Sequence, residues 1–304
     1  MKVFVTGGTG FIGRRLVPAL ASDGHEVTVL SRNASSAADL SGTGVKIIEG
    51  NPLAEGPWQQ EVGRHDAVIN LCGEPILKKK WTPERKKILL DSRLIPTRLI
   101  VEAIAGADKR PDVLISGSAI GYYGFRGDER LTEESGPGSG FAANLAVDWE
   151  EAAEKAEAEG VRVVTLRTGI VLGRGGGALA QMAPPVRFFV GGSIGSGRQY
   201  ISWIHIADQI GLIKMALIDK SINGGVNMTA PHPVTNRELM KAIGVALGRP
   251  SWLPVPGFIL KAAFGEGAAL LLEGQNVLPK KAQDAGYDFK FPDISPALAD
   301  ALKN

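Results

Sequence analysis

The stretch TGGTGFIG, residues 6–13, lies between a short β-branched run and the start of an amphipathic pattern. Upstream of it, the run from Val3 to Thr6 is typical of a strand. Downstream, Ile12, Leu16 and Leu20 recur at i, i+4 and i+8, which predicts a helix with one apolar stripe. The chain therefore opens with a strand, a glycine-rich turn and a helix.

The chemistry of this turn favours a dinucleotide ligand. Glycine permits a tight turn and a close approach of the backbone to a pyrophosphate, and the helix N-terminus presents free N–H groups and a partial positive charge. A bare glycine pattern is weak evidence, but this one follows a strand and opens a helix, which is the context that such a site needs. We predict a pyrophosphate site formed by Gly7, Gly10, Phe11, Ile12 and Gly13.

The residues after the second predicted strand indicate which dinucleotide binds. Leu30 is followed by Ser31 and Arg32, and the nearest acid downstream is Asp39. An acid at the strand end would accept a hydrogen bond from a ribose 2′-hydroxyl, whereas arginine accommodates a 2′-phosphate. We predict NADP(H) rather than NAD(H), with the Ser31 hydroxyl and the Arg32 guanidinium as donors to the phosphate. The alternative is that Arg32 is an ordinary exposed loop residue.

Short β-branched runs alternate with longer helical stretches through the first half of the chain. This alternation is typical of a parallel sheet with crossover helices, so we predict an α/β fold with a Rossmann-type doubly wound parallel sheet. We place an NADP-binding domain at 1–170, to which a strand near 225–230 returns, and a smaller glycine-rich substrate lobe at 171–304. The predicted strands are Val3 to Thr6, Val27 to Leu30, Val45 to Ile48, Ala67 to Leu71, Val113 to Ser116 and Val161 to Leu166.

Two longer helices are predicted between these strands. Thr82 followed by Pro83 is typical of an N-cap and a first helical residue, and the helix is predicted to run to about Ala105. Because Pro96 lies inside it, a kink is expected near Ile95. A second helix is predicted over 144–159, closed by Gly160 before the next strand.

Composition narrows the class of partner. The 34 Lys and Arg against 32 Asp and Glu give a net charge of +2, which favours a small-molecule substrate over nucleic acid or a membrane. No uncharged apolar run reaches about 18 residues, so we expect a cytoplasmic protein. A single cysteine, Cys72, excludes an intrachain disulfide, and no metal site is predicted because the histidines lack ligand spacing. These histidines are His25, His65, His205 and His232.

The chain resembles an extended, atypical short-chain dehydrogenase/reductase of the NAD-dependent epimerase/dehydratase type, in the group that ends in a small C-terminal domain of unknown function. The resemblance covers essentially the whole chain. It rests on VTGGTGFIG at 5–13, AVINLCGEPI at 67–76, WT at 81–82, SGSA at 116–119, WE at 149–150, RTGIVLG at 167–173, WIHIAD at 203–208 and LEGQ at 272–275.

This resemblance implies further cofactor residues and an assembly. A homodimer through the helices at 84–105 and 144–159 is expected from it. The alternative for each cofactor residue is an ordinary place in the core or on a helix surface. The implied cofactor residues are Leu71, Cys72 and Gly73 on the adenosine and ribose side, Arg93 beside the phosphates, and Val171 and Leu172 near the nicotinamide.

The residues at the expected catalytic positions of the site depart from the pattern of the family. Short-chain dehydrogenases move a proton with a tyrosine whose phenol is made acidic by a lysine four residues later, while a serine orients the substrate oxygen. The resemblance places Ser118 at the position of that serine, but Phe141 and Leu145 stand where the tyrosine and lysine are expected. Tyr122 and Tyr123 lie within loop reach of Ser118, so either could be a relocated acid; the alternative is that both are packing residues.

Other candidate groups each have a structural alternative. His205 and Asp208 are either a base with an orienting carboxylate or a structural hydrogen bond, and we favour the latter. Glu74 is either catalytic or the cap of the next segment. The lysines at 78–80 predict a solvated face, with steering of an anionic ligand as the minority interpretation.

Two hypotheses from different classes follow. The first is an NADP(H)-dependent oxidoreductase or epimerase-like enzyme, with a small polar substrate between Ser118, Tyr122 or Tyr123 and the lobe that contains residues 198–200. The second is a non-catalytic protein that uses NADPH as a structural or redox-sensing ligand, and it is motivated by the missing tyrosine and lysine. We favour the enzyme because Ser118 and a glycine-rich substrate lobe are retained, although a fold alone does not determine function.

Overall fold

A computed structural model describes residues 1–41 and 45–303. Its strands are β1 Lys2–Thr6, β2 Glu26–Ser31, β3 Lys46–Glu49, β4 Ala67–Asn70, β5 Val113–Ala119, β6 Arg130–Leu131, β7 Arg162–Thr168, β8 Ile170–Leu172, β9 Tyr200–Ile201, β10 Trp203–His205, β11 Gly224–Met228, β12 Val234–Thr235 and β13 Asn276–Val277. Its α-helices are α1 Gly13–Ser22, α2 Ala38–Ser41, α3 Gln59–Val62, α4 Pro83–Ala105, α5 Phe141–Glu154, α6 Leu179–Arg187, α7 Ile206–Ile218, α8 Asn236–Leu247, α9 Gly257–Phe264, α10 Ala269–Leu272, α11 Lys280–Asp284 and α12 Ile294–Ala301.

Seven of these strands form one parallel sheet, in the order β11-β7-β5-β4-β1-β2-β3. This order confirms the predicted doubly wound parallel sheet. The order reverses between β1 and β4, and in open α/β sheets ligands bind outside the carboxyl ends of the strands at this point. The glycine-rich turn, which follows β1, therefore lies at the switch point of the sheet.

The two faces of the sheet are covered by different helices. Leu16 and Leu20 of α1 and Ile213 of α7 pack with sheet residues on one face. On the other face, Leu99 and Ile104 of α4 are fully buried, together with the end of α5. Strands that are apolar on both sides need such cover, because parallel sheets carry their crossover helices on both faces.

The ends of α4 and α5 can be compared with the helix ends predicted from the sequence. Thr82 caps α4 by accepting a hydrogen bond from the Arg85 amide at 3.2 Å, as predicted, and the helix continues through Pro96 to Ala105. The next helix, α5, begins at Phe141, three residues before the predicted start, and passes into a 3₁₀ turn that ends at Gly160. Gly160 has a φ of +76°, the left-handed conformation that favours glycine after a helix.

The part of the chain after β7 contributes to two regions. Helix α7 and strand β11 return to the large sheet, whereas α6, α8 and α12 surround a separate apolar cluster that includes Trp203. Asp208 on α7 binds the C-terminal segment: its carboxylate accepts hydrogen bonds from the amides of Lys290 at 2.8 Å and Phe291 at 3.0 Å. Within residues 1–41 and 45–303, no helix combines the length and apolarity that crossing a bilayer requires.

Candidate functional site

The glycine turn is pressed against the end of β4. Gly7 has a φ of +73°, and a Cβ atom on it would lie 2.6 Å from the carbonyl carbon of Leu71. A Cβ atom on Gly13 would lie 2.5 Å from the carbonyl oxygens of Gly7 and Gly8. Both distances are far inside van der Waals contact, so these positions need glycine. The turn therefore packs directly against the backbone that follows β4, the strand that pairs with β1.

The start of α1 is suited to an anion. No acidic residue lies in its first turn, and the N–H groups of Phe11 and Ile12 donate to no acceptor within the described residues. Free amides and the helix dipole together favour a phosphate at this point. The Phe11 ring lies under the 173–177 loop, because a Cβ atom on Gly176 would be 2.4 Å from the ring. The 173–177 loop thus packs closely over the glycine turn that follows β1.

The loop after β2 differs from its sequence-based prediction at one residue. Arg32 is exposed, but Ser31 is buried and its hydroxyl is used inside the loop, where it donates to the carbonyl oxygen of Asn33 at 2.8 Å. A buried hydroxyl has to find a partner nearby, and here the partner is the backbone. Ser31 therefore shapes the loop, and its hydroxyl is not a free donor for a phosphate.

The residues after β4 and one arginine of α4 meet on the other side of the turn. The guanidinium carbon of Arg93 lies 3.3 Å from the position of a Cβ atom on Gly73, and its Nη2 donates to the carbonyl oxygen of Glu74 at 3.1 Å. Burial lowers the pKa of Arg93 to about 10 and raises the pKa of the Cys72 thiol. Leu71 contacts Gly7, so four of the residues that the resemblance implied lie around the switch point.

Leu172 occupies a different environment from the one that the resemblance implied. Its side chain is fully buried in the apolar cluster around Trp203, and its strand β8 pairs with β10. The Leu172 side chain is therefore part of the core and is not available to a ligand, whereas the side chain of Val171, its neighbour on β8, is partly exposed.

Ser118 is part of a buried ionic network that sequence reasoning did not anticipate. Its Oγ donates to Oε1 of Glu150 at 2.6 Å. Arg167 forms two hydrogen bonds with the same carboxylate, from Nε at 2.9 Å and from Nη2 at 2.8 Å. Glu150 and Arg167 are both within the resemblance motifs, but they are 17 residues apart and their spacing gives no sign that they meet.

The two adjacent tyrosines have different environments in this network. Tyr123 is fully buried; its hydroxyl accepts a hydrogen bond from Arg167 at 2.9 Å and donates to Asn227 at 2.7 Å, and burial raises the pKa of Tyr123 to about 12. Tyr122 is partly exposed, and its ring centroid lies 3.5 Å from the Arg167 guanidinium carbon. Tyr123 is thus engaged inside the fold, whereas Tyr122 keeps access to solvent.

The positions expected to hold the catalytic tyrosine and lysine belong to an apolar cluster. Leu145 is buried there with Trp81 and Leu89, and the Phe141 ring meets the Trp81 ring edge-on at 4.9 Å. The C-terminal segment covers this cluster, since the Trp81 amide donates to the Phe264 carbonyl oxygen at 3.3 Å. These positions therefore offer no proton-transferring group.

The remaining candidates have structural partners. His205 caps α7 by accepting from the Ala207 amide at 3.2 Å, and the Asp208 carboxylate accepts from the C-terminal segment, so the two do not form a base with an orienting carboxylate. The Glu74 carboxylate lies 3.3 Å from Nη1 of Arg85. The lysines at 78–80 are exposed. Within the described ranges, no group of three or more His, Cys, Asp or Glu side chains is arranged to hold a metal ion.

A parallel sheet with a glycine turn at its switch point defines a Rossmann-type dinucleotide-binding fold. Residues 3–227 match the NAD dependent epimerase/dehydratase family, and residues 255–301 match a domain of unknown function, DUF1731. The chain belongs to the NAD dependent epimerase/dehydratase family. The second match corresponds to the segment from α9 to α12 that Asp208 fastens to α7.

Several relatives are similar over nearly their whole length. An Arabidopsis thaliana protein, epimerase family protein SDR39U1 homolog, chloroplastic, is 45% identical over 98% of this chain and 86% of its own. Epimerase family protein YfhF of Bacillus subtilis is 39% identical over 99% and 98%. The crystal structure of human epimerase family protein SDR39U1 with NADPH superposes with a TM-score of 0.86, at 36% identity, over the full length of both chains.

Proposed function

We propose that this chain binds NADP(H) at the switch point and transfers a hydride between the nicotinamide and a small polar substrate, as an oxidoreductase or epimerase-like enzyme. The observation that carries the cofactor half is the exposed Arg32 at the end of β2, where an acid would favour NAD(H). The similar human protein, crystallised with NADPH, supports this choice. The proposed cofactor residues are Gly7, Gly10, Phe11, Ile12, Gly13, Arg32, Leu71, Cys72, Gly73 and Arg93.

The direction of the Ser118–Glu150 hydrogen bond determines whether the Ser118 hydroxyl can donate to a substrate or accept from it. Glu150 is paired with Arg167 and, as a carboxylate, only accepts hydrogen bonds. The Ser118 proton is therefore directed to Glu150, and the hydroxyl offers a lone pair in other directions. A substrate hydroxyl that donates to Ser118 would be oriented by it. Tyr122, which is partly exposed beside Arg167, is our candidate for the proton-transferring group.

A second candidate function is NADPH binding without turnover. The apolar surroundings of Leu145 favour it, because a buried leucine can neither lower the pKa of a phenol nor hold the nicotinamide ribose. In this alternative the cofactor stabilises one conformation, which a partner would recognise.

Cofactor release, titration and a substrate screen test the first candidate. Nucleotide released from the purified protein is identified, NADPH and NADH are titrated, and carbonyl substrates are screened for NADPH oxidation. Preference for NADH would contradict the Arg32 argument. The same substrates are also incubated with NADP⁺-loaded protein and tested for epimerisation, because an epimerase regenerates its cofactor and gives no net oxidation. Tight NADPH binding with neither oxidation nor epimerisation across the screen would favour the second candidate.

Once a substrate is found, paired variants test the catalytic half. Ser118→Ala and Tyr122→Phe should lower kcat with little change in NADPH affinity. Ser116→Ala is the matched control, because Ser116 lies two residues earlier on β5 and its buried hydroxyl has no partner within the described residues. Equal losses in Ser116→Ala and Ser118→Ala would contradict a specific role for Ser118.

Two further properties concern assembly and location. We propose a homodimer through α4 and α5, whose outer surfaces form a groove of about 450 Å³ that Leu94 and Ala152 help to line. Sedimentation of the wild type and of Leu94→Arg tests it, since a monomeric wild type would contradict it. We also propose a cytoplasmic location, although the Arabidopsis relative is named chloroplastic.

A further inference from the structure

Arg14, the second residue of α1, connects the glycine turn to the loop after β2. Its Nε donates to the carbonyl oxygen of Thr9 at 2.9 Å, and its Nη2 donates to the carbonyl oxygen of Ser36 at 2.7 Å. Its Nη1 pairs with the carboxylate of Asp39. One side chain thus reaches the phosphate turn, the β2 loop and the acid that follows that loop.

The contact at Ser36 lies next to the proposed 2′-phosphate position. The Ser36 hydroxyl is 3.1 Å from that of Ser31, and both hydroxyls donate to the carbonyl oxygen of Asn33, at 2.7 and 2.8 Å. Arg32 stands between Ser31 and Asn33, so this set of bonds fixes the backbone that carries its guanidinium. Arg14 is attached to the same small network.

Asp39 is the group that would oppose a 2′-phosphate. It is the one acidic residue in the sequence from 27 to 48, and its side chain is more than half exposed. A phosphate monoester carries a charge of about −1.5 to −2, so a free carboxylate nearby would repel it. Arg14 offsets this charge by pairing with the carboxylate, and the same hydrogen bond lowers the pKa of Asp39.

The position of Arg14 is unfavourable for the helix itself. A cation in the first turn of a helix opposes the helix dipole, and α1 has no acid in that turn to offset it. The bonds of Arg14 to the loop and to Asp39 give this residue a role that does not depend on the stability of α1.

We propose that Arg14 is a specificity-determining residue for the cofactor: by holding the Asp39 carboxylate and the 31–36 loop, it keeps the end of β2 cationic and open to a 2′-phosphate. This inference rests on the proposed NADP(H) site. It assigns the preference for NADPH to a pair of residues, Arg14 with Arg32, rather than to Arg32 alone.

A double-mutant cycle in the full-length protein, with NADPH and NADH titrated by fluorescence, tests the proposal. Arg14→Ala should weaken NADPH binding about tenfold, ~1.4 kcal/mol, and change NADH binding by less than about threefold. In the Asp39→Asn background, the same Arg14→Ala change should cost less than about threefold for NADPH, because the carboxylate that Arg14 restrains is gone. Arg15→Ala is the matched control: Arg15 donates to the Arg174 carbonyl oxygen and should affect both cofactors equally.

The outcomes separate this inference from the proposed function. Equal costs of Arg14→Ala in both backgrounds would mean that Arg14 acts by its own charge alone, and would overturn the proposed role of Asp39. Equal losses for NADPH and NADH would overturn a specificity role altogether. Wild-type preference for NADH would overturn both the inference and the proposed function. Hydrogen exchange of the amides at 33–38 adds a measurement without ligand: Arg14→Ala should speed it, and unchanged exchange would overturn the loop-holding role.

Discussion

Replacing Arg167 by methionine should strongly destabilise this protein. Arg167 gives the Glu150 carboxylate two hydrogen bonds, at 2.9 and 2.8 Å, and the two side chains are only 8% and 4% exposed. Methionine fills a similar volume but leaves Glu150 as a buried charge with only Ser118 as a donor. Removing one partner of such a pair costs about 3–5 kcal/mol. We expect a loss of about 4 kcal/mol in the free energy of unfolding, measured by urea denaturation.

Two comparisons make this prediction specific. The double variant Glu150→Leu with Arg167→Met should be more stable than Arg167→Met alone, because no unpaired charge remains. Arg98→Met, which breaks the exposed pair with Glu102 on α4, should cost at most about 0.5 kcal/mol. If Arg167→Met costs less than about 1 kcal/mol, or if the double variant loses the sum of both single losses, the buried ionic network does not act as described.

Three further changes give distinct outcomes. Gly7→Ala should abolish NADPH binding and lower stability by about 2–5 kcal/mol, because an overpacking cost of about 1–3 kcal/mol adds to a cost of about 1–2 kcal/mol for the positive φ. Gly24→Ala, which also has a positive φ but no atom near its Cβ position, should cost only about 1–2 kcal/mol. Equal costs in thermal unfolding would contradict the steric argument. Burial lowers the pKa of His205 below 6.5, so the unfolded chain binds more protons than the folded one, and the free energy of unfolding falls as the pH drops through 6.5. His205→Asn, which retains an N-cap, should reduce that fall. An unchanged pH profile of unfolding in this variant would contradict the role of His205. Leu145→Lys should destabilise the protein by about 2–5 kcal/mol, because it places a cation in an apolar cluster; near-wild-type stability in urea would show that this cluster is open to water.

The cofactor half of the candidate site could be predicted because its signals are local. A strand, glycines with a required spacing and a helix start within a few residues of each other, and Arg32 follows the second strand directly. Each of these features is set by backbone geometry over one βαβ unit. The fold prediction was confirmed for the same reason, since alternating strands and helices leave few other arrangements.

The catalytic half could be predicted only as a departure from the family pattern. The sequence shows that Phe141 and Leu145 replace a tyrosine and a lysine, but not what surrounds them. That the C-terminal segment covers this place, through the contact of Trp81 with Phe264, depends on residues that are far apart in the chain. The burial of Tyr123, in contrast to Tyr122, likewise depends on distant packing.

By itself, the sequence determined the glycine turn, the parallel sheet and the cationic end of β2, because glycine conformation, strand alternation and charge act between near neighbours. The tertiary structure decided which polar groups are free and which are engaged. Ser118 is directed to Glu150 and Ser31 to its own loop, and Arg14 holds Asp39. Buried polar groups must find partners, and only the folded chain shows which distant residues provide them.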